Sequence, residues 1–251
     1  MIHIVGAGPG DPELLTRKGA RLLAEADLVL YAGSLINPEI LREARPGSRR
    51  LDTAAMTLEE MVAACREAHG RGQEVVRLSS GDPCLYGATA ELTTELDRHG
   101  VPWEIVPGVS SFQAAAAALG VEYTLPGVSQ TLILTRMAGR TPVPPAEDLE
   151  RLAATGASMA IFLSADRVGG VVERLLAGGY PPDTPAAVVS RASWPEERRA
   201  EGTLADIAGK AAAEGIRRTA LILVGAFLTR RGERSRLYDP AFTHGCREAR
   251  R

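Results

Sequence analysis

The chain has 251 residues, 45% of them hydrophobic and 24% charged, a balance that excludes a disordered chain and fits one large domain or two medium ones. Lysine and arginine total 29 against 31 aspartates and glutamates, a net charge of −2, which argues against a strongly basic nucleic-acid protein while leaving a local basic patch open. Only 4% of residues are aromatic, which disfavours a base-stacking platform, and no apolar run approaches the ~20 residues of a membrane span.

In chain order, residues 2–5 form a short apolar run that predicts a strand. Gly6-Ala7-Gly8-Pro9-Gly10 breaks it, and Thr16 can cap a helix running to residue 26. Residues 28–31 predict a second strand. Thr57 and Glu60 have the spacing of a capping box, opening a helix to about residue 69. Strand 75–78, helix 88–99, strand 103–106 and an alanine-rich helix 110–119 follow. Such alternation predicts a parallel sheet with helices on its faces. The rhythm breaks around residues 120–129 and then restarts. Strand 132–135 is followed by a proline-rich loop over 136–145, helix 146–154, strand 159–163 and helix 168–177. Strand 187–191, helix 204–214 and strand 220–224 complete it. The predicted class is therefore α/β, in two α/β domains spanning 1–115 and 116–229. Residues 230–251, charge-rich and without apolar periodicity, are expected to form a loosely ordered tail.

Three cysteines, Cys65, Cys84 and Cys246, show no C-x-x-C spacing, so neither a disulfide framework nor a zinc site is expected. The histidines at 3, 69, 99 and 244 are isolated, which predicts surface or capping roles and no metal site. Residue 1 leads directly into a strand rather than a signal peptide, so the cytoplasm is the expected compartment.

Three loops carry the chemistry. Gly6-Ala7-Gly8-Pro9-Gly10-Asp11 follows a strand, as a dinucleotide fingerprint would, but Asp11 stands where the third glycine belongs. A carboxylate there opposes a pyrophosphate, and no Gly-Lys-Ser/Thr follows to make a P-loop. The loop is either a tight strand-to-helix turn or a backbone-lined surface for a non-phosphate ligand. Ser80-Gly81-Asp82-Pro83-Cys84-Leu85 follows the strand at 75–78, where ligands gather in open α/β sheets. Gly81 lets backbone approach a ligand, and Asp82 offers an acceptor to hydroxyls or a cation, unless this is merely an Asx-Pro turn. Cys84 has no adjacent base and reads as a packing residue. Pro107-Gly108-Val109-Ser110-Ser111 opens a helix after the fourth predicted strand, where Ser110 can act as a simple cap.

Taken in this order, the three motifs resemble the tetrapyrrole (corrin/porphyrin) methylases. Those motifs stand here as Val5-Gly-Ala-Gly-Pro-Gly-Asp-Pro-Glu-Leu-Leu-Thr16, Ser80-Gly-Asp-Pro-Cys-Leu-Tyr-Gly87 and Pro107-Gly-Val-Ser-Ser111, and the likeness runs over residues 2–228. Three further segments look like the precorrin-4 C(11)-methyltransferase branch. They are Tyr31-Ala-Gly-Ser-Leu-Ile36, Leu134-Thr-Arg-Met-Ala-Gly-Arg-Thr-Pro-Val-Pro144 and Ala187-Val-Val-Ser-Arg-Ala-Ser-Trp-Pro-Glu-Glu197. One position departs: an aromatic residue is expected before Arg191, and Ser190 stands there.

The resemblance implies two α/β domains with a cofactor cleft between them, S-adenosylmethionine as methyl donor, a precorrin or cobalt-precorrin substrate, and a homodimer. It assigns the cofactor to Pro9, Ser80, Gly81, Asp82, Leu85, Ser110 and Ser111, and from the second half to Leu163, Ala192, Thr219 and Ala220. Leu163 reads equally as core packing. Catalytic residues and the proton acceptor are not assigned. For the substrate's carboxylates, Arg136 and Arg140 are expected, since they lie in a loop directly after a strand and a guanidinium can hold a carboxylate bidentately. Sister precorrin methylases at C(17) or C(20), the uroporphyrinogen enzyme, and a non-catalytic sensor of cofactor or tetrapyrrole remain open. An RNA methylase is disfavoured by the charge and the few aromatics.

Overall fold

The structure is a computed structural model, and it describes residues 1–249. The chain divides into two compact units. The first is Met1–Ala114 with the returning segment Arg191–Glu197; the second is Ala115–Ser190 with the chain from Arg198 onward.

The first unit is built on strands β1 (Ile2–Gly6), β2 (Leu28–Tyr31), β3 (Arg49–Asp52), β4 (Val75–Ser79) and β5 (Trp103–Val106). Helices α1 (Arg17–Glu25), α2 (Leu58–Gly70), α3 (Thr89–Arg98) and α4 (Ser111–Leu119) alternate with them, and the unit boundary falls within α4. All strand pairs are parallel, in the order β3-β2-β4-β1-β5. β1 is buried along its whole length, as expected of a parallel strand covered on both faces. Side chains alternate between the faces. Ile2, Ile4, Leu28 and Leu30 pack with Val62 and Cys65 of α2 and Leu92 and Leu96 of α3. Val5, Val29, Val76 and Leu78 pack with Leu22 and Leu23 of α1 on the other side. Thr16 caps α1 by accepting from the Gly19 amide. Thr57 and Glu60 form the reciprocal capping box of α2.

The second unit contains β6 (Leu132–Arg136), α5 (Leu149–Ala153), β7 (Ser158–Phe162), α6 (Val168–Ala177), β8 (Pro185–Ser190), β9 (Arg198–Thr203), α7 (Ile207–Ala213) and β10 (Ala220–Val224). Its sheet runs β6-β7-β10-β8-β9 and is mixed: β6 and β7 are parallel, whereas β10 pairs antiparallel with β7 and β8, and β8 with β9. Leu149, Val171, Leu175, Ile207 and Ala211 cover one face against Met159, Ile161, Val188 and Ile222. The expected helix over 146–154 is a 3-10 turn at Pro145–Glu147 followed by α5, because Asp148 is extended and caps the Glu150 amide. The expected helix over 204–214 shortens to α7. Beyond β10 the chain forms short turns at Ala226–Thr229 and Arg236–Tyr238, and the last two residues of the expected tail lie outside the described residues.

Two strands, β3 and β9, were not expected. Each lies at the edge of its sheet and opens with two arginines, so neither shows an apolar run. Charge at an edge is a common defence against further strand pairing.

Candidate functional site

β4, β1 and β5 are neighbours and parallel, so the loops that follow them emerge at one end of the first sheet. There the three motifs meet backbone to backbone. Gly8 and Gly81 exchange hydrogen bonds, Gly81 N–H to Gly8 O at 2.8 Å and Gly8 N–H to Gly81 O at 3.2 Å. A Cβ on Gly6 would fall 2.5 Å from the Gly108 Cα, and one on Gly108 would fall 2.3 Å from the Gly81 oxygen. Gly81 has φ +65°, which other residues adopt at a cost. Side chains are excluded from this junction, and what remains is a set of closely spaced main-chain groups.

Asp82 fastens the second loop to the third. Its Oδ2 accepts from the Gly108 amide at 2.9 Å and its Oδ1 from the Cys84 amide at 2.8 Å. Both oxygens are thus engaged with backbone amides, and the Oδ1 bond is the Asx turn weighed from sequence. Ser110 is buried at 3% exposure. Its amide donates to Gln113 Oε1 at 2.9 Å, so Gln113 closes this helix start from its third position. Ser111 is half-buried at the first turn of α4, and its amide nitrogen lies 3.5 Å from where a Gly81 Cβ would stand. Pro9 is buried, Leu85 half-buried and Ser80 exposed.

Ala192 is buried within the segment Arg191–Glu197, which packs with the first unit. Ser193 Oγ accepts from the Asp11 amide at 3.0 Å, and the Trp194 indole N–H donates to the Pro9 carbonyl at 2.7 Å. Asp11 itself caps the turn Pro12–Leu14 through the Glu13 amide. A carboxylate therefore occupies the helix-facing position that a pyrophosphate would need. In the first unit the structure thus brings together Pro9, Ser80, Gly81, Asp82, Leu85, Ser110, Ser111 and Ala192.

In the second unit, Leu163 directly follows β7 with φ +52° and 65% exposure, so the core-packing reading of it fails. Thr219 precedes β10 with φ +50° and is exposed. Ala220 pairs with Ser190 across β10 and β8, and Leu163 follows the strand that borders β10 on its other side. Ser190, where an aromatic residue was expected, hydrogen-bonds through Oγ to the carbonyls of Arg218 and Thr219 at 3.3 and 3.4 Å. The small hydroxyl holds the turn that presents Thr219.

Arg136 ends β6 and Arg140 lies in the loop after it, and the two differ in use. Arg136 donates from both terminal nitrogens to the Thr141 and Pro142 carbonyls, at 3.1 and 2.6 Å, and so staples its own loop. Arg140 is exposed.

Sequence reading missed a cavity of about 640 Å³ in the first unit, between Pro83–Glu91 and Ile105. Tyr86 and Ala88, with φ +55° and +52°, shape its wall, and Tyr86 is 46% exposed. No local composition signals such a loop. The packing reading of Cys84 also fails, since the residue is exposed at this cavity. Its thiol is raised above the ordinary value by desolvation and then by the Asp82 carboxylate, so it is a poor nucleophile at neutral pH. Burial pushes the Cys65 thiol up to about 12.

His3 corrects another expectation. It is 7% exposed, with Nδ1 2.8 Å from Glu104 Oε1 and Nε2 2.9 Å from Glu74 Oε2. Both ring nitrogens thus face a carboxylate oxygen. Glu74 is held below the usual carboxylate range by His3, and Glu104 by Lys18 first and His3 second. Among the described residues, no group of three His, Cys, Asp or Glu side chains is placed to hold a metal ion, and no helix is long and apolar enough to cross a membrane.

Comparison with known proteins places this architecture. Residues 1–208 match the family model of the Tetrapyrrole (Corrin/Porphyrin) Methylases. The chain is 49% identical over 249 residues to the cobalt-precorrin-4 C(11)-methyltransferase of Methanocaldococcus jannaschii, covering 99% of this chain and 96% of that one. A crystal structure of a cobalt-precorrin-4 methyltransferase of cobalamin biosynthesis superposes with a TM-score of 0.89 at 46% identity, covering 90% of this chain and 95% of the other. The uroporphyrin-III C-methyltransferase of Thermus thermophilus, solved with S-adenosylhomocysteine, superposes with a TM-score of 0.76 at 33% identity, covering 93% and 95%.

Proposed function

This chain belongs to the tetrapyrrole (corrin/porphyrin) methylases, and from that membership we propose that it methylates precorrin-4, or its cobalt complex, at carbon 11 in cobalamin synthesis. The observation that carries the reading is the near full-length identity to a cobalt-precorrin-4 C(11)-methyltransferase. S-adenosylmethionine, when bound, supplies a methyl group on a sulfonium, which is already an excellent leaving group. The protein's contribution is alignment, worth about 7–11 kcal/mol when two reactants are held in near-attack geometry.

The junction of Gly6, Gly81 and Gly108 suits that donor. It is built of closely packed main chain without side chains, and Asp11 stands where a pyrophosphate would meet the helix. We assign Pro9, Ser80, Gly81, Leu85, Ser110, Ser111 and Ala192 to cofactor contact, with Asp82 holding two of the loops in register. In the second unit we assign Leu163, Thr219 and Ala220, each at or next to a strand end. An exposed leucine in the left-handed region is a costly arrangement to keep without a ligand role.

A precorrin carries several carboxylates, and a chain of net charge −2 must attract it through local cations. Arg140 takes that role directly, and Arg136 supports it by shaping the loop. The cavity beside Tyr86 offers a concave, partly aromatic surface to a flat macrocycle. The protein acts as a cytoplasmic homodimer without nucleic acid or membrane, a reading supported by the family resemblance. A monomeric mass in light scattering at micromolar concentration would remove the dimer.

Incubation with S-adenosylmethionine and precorrin-4, followed by mass spectrometry and carbon NMR, tests the activity. One added methyl at carbon 11 is the expected product. A methyl at another ring position would make the chain a sister methylase, and binding of both ligands without turnover would make it a sensor.

A further inference from the structure

The loop after β1 contains Gly8 and Gly10, and a segment so rich in glycine has many conformations to lose on binding a ligand. Its order here is imposed from outside. The Pro9 carbonyl accepts from the Trp194 indole, the Gly10 carbonyl accepts from Asn37 Nδ2 at 2.8 Å, and the Asp11 amide donates to Ser193 Oγ. Asn37 is itself 6% exposed. Three successive residues are thus held by side chains from two distant segments.

Trp194 does more than donate a hydrogen bond. A Cβ on Gly10 would fall 2.0 Å from Trp194 Cδ1, so the indole lies flush against the loop backbone. The segment carrying it is stiff in its own right. The Arg191 guanidinium sits 5.4 Å from the indole centroid, and the Ser193 amide donates to a Glu197 carboxylate oxygen at 2.8 Å. Arg191 and Ser193 have φ of +48° and +71°, conformations that non-glycine residues keep only when surrounding contacts hold them. Phenylalanine could cover Gly10, but only tryptophan also supplies the N–H that the Pro9 carbonyl accepts.

We propose that Trp194 is a positioning residue for the cofactor loop, fixing Pro9 and Gly10 in the conformation that receives the methyl donor. The proposal rests on the assignment of that loop to the cofactor site, and it adds a specific mechanical link. Trp194 should sense the ligand, and loss of its N–H should weaken binding without unfolding the protein.

Two measurements on the full chain test this. Trp103 and Trp194 are the two tryptophans, so Trp103→Phe leaves Trp194 as the sole indole emitter. Titration of that variant with S-adenosylhomocysteine is expected to shift its emission, saturating at the dissociation constant found by calorimetry. Trp194→Phe is expected to raise that constant about three- to tenfold, with a cooperative melt retained. If calorimetry shows wild-type binding while the emission of Trp194 stays unchanged at saturation, the positioning role is overturned. An unchanged dissociation constant in a folded Trp194→Phe protein overturns it equally. Absence of binding to the wild-type protein would instead remove the cofactor assignment on which the proposal stands, and the proposal with it.

Discussion

The two sheets reach their candidate site residues by opposite means. In the first, three parallel neighbours deliver their loops to one end, where Gly6, Gly81 and Gly108 touch main chain to main chain. In the second, antiparallel pairing sets the start of β10 beside the end of β8 and next to the strand that leads into Leu163, and the exposed residues there keep their side chains. Parallel topology allows a surface made of backbone, because the loops that follow its strands all leave at the same end. Antiparallel topology alternates loop ends, so its contribution comes from single residues held in left-handed conformations, such as Leu163 and Thr219.

If that contrast is right, the largest effect belongs to Gly108. Gly108→Ala drives a methyl group into the Gly81 carbonyl, a rigid partner, and should cost about 3 kcal/mol or more with loss of S-adenosylmethionine binding. Denaturant melts and calorimetry read both. Next is Asp82→Ala, which frees the Gly108 and Cys84 amides and should weaken the cofactor by about 1.5–3 kcal/mol. Cys84→Ser, at an exposed thiol beside it, should cost far less, and equal dissociation constants for the two would take Asp82 out of the site. On the second unit, Arg140→Ala should raise KM for the tetrapyrrole by about fivefold, in line with roughly 1 kcal/mol for an exposed charged contact, while S-adenosylmethionine affinity holds. Steady-state kinetics with each substrate varied in turn would expose an effect on the wrong one.

Much of this division was readable beforehand. Apolar runs located eight of the strands because buried strands must be apolar. Thr16, Thr57 and Glu60 marked helix starts because capping is local chemistry. The edge strands at Arg49–Asp52 and Arg198–Thr203 were hidden because an edge strand presents charge rather than hydrophobicity. Strand direction in the second sheet was hidden too, since β9, the unseen partner, turns β8 into a hairpin. The motifs named the site residues through family resemblance, yet the engagement of Asp82 with two amides and of Trp194 with Pro9 depends on chain folding. Trp194 and Pro9 are 185 positions apart, and no local pattern records such a pairing.

Smaller effects sharpen the comparison away from the site. His3 ties Glu74 and Glu104 together across the first sheet, and both carboxyls are depressed. Groups with lowered folded pKa stabilise above the ordinary glutamate value of 4.5 and lose that contribution as pH falls through the folded values. Wild-type stability should therefore fall as pH drops below that value. His3→Ala should lose about 1 kcal/mol at neutral pH, after allowance for solvent screening of the partly exposed carboxylates, and then decline less steeply in acid. Urea midpoints from pH 3 to 7 would show whether the two curves converge. Smallest, and opposite in sign, is Gly209→Ala in α7, where a Cβ meets nothing within 4 Å. It should stabilise by up to about 1 kcal/mol, read as a higher melting temperature, in contrast to the ruinous alanine at Gly108.

The returning segment also sets a timetable for synthesis. Residues up to Ala114 emerge long before Glu197, the last residue of the stretch that covers the glycine loop. With 197 − 114 = 83 residues between them, translation at ~5–20 residues per second leaves an interval of ~4–17 s. Throughout that interval the strands of the first sheet are already synthesised but its indole cover is not, so the loop assigned above to the methyl donor is the last part of its unit to be completed, and a chain truncated before Trp194 would never complete it.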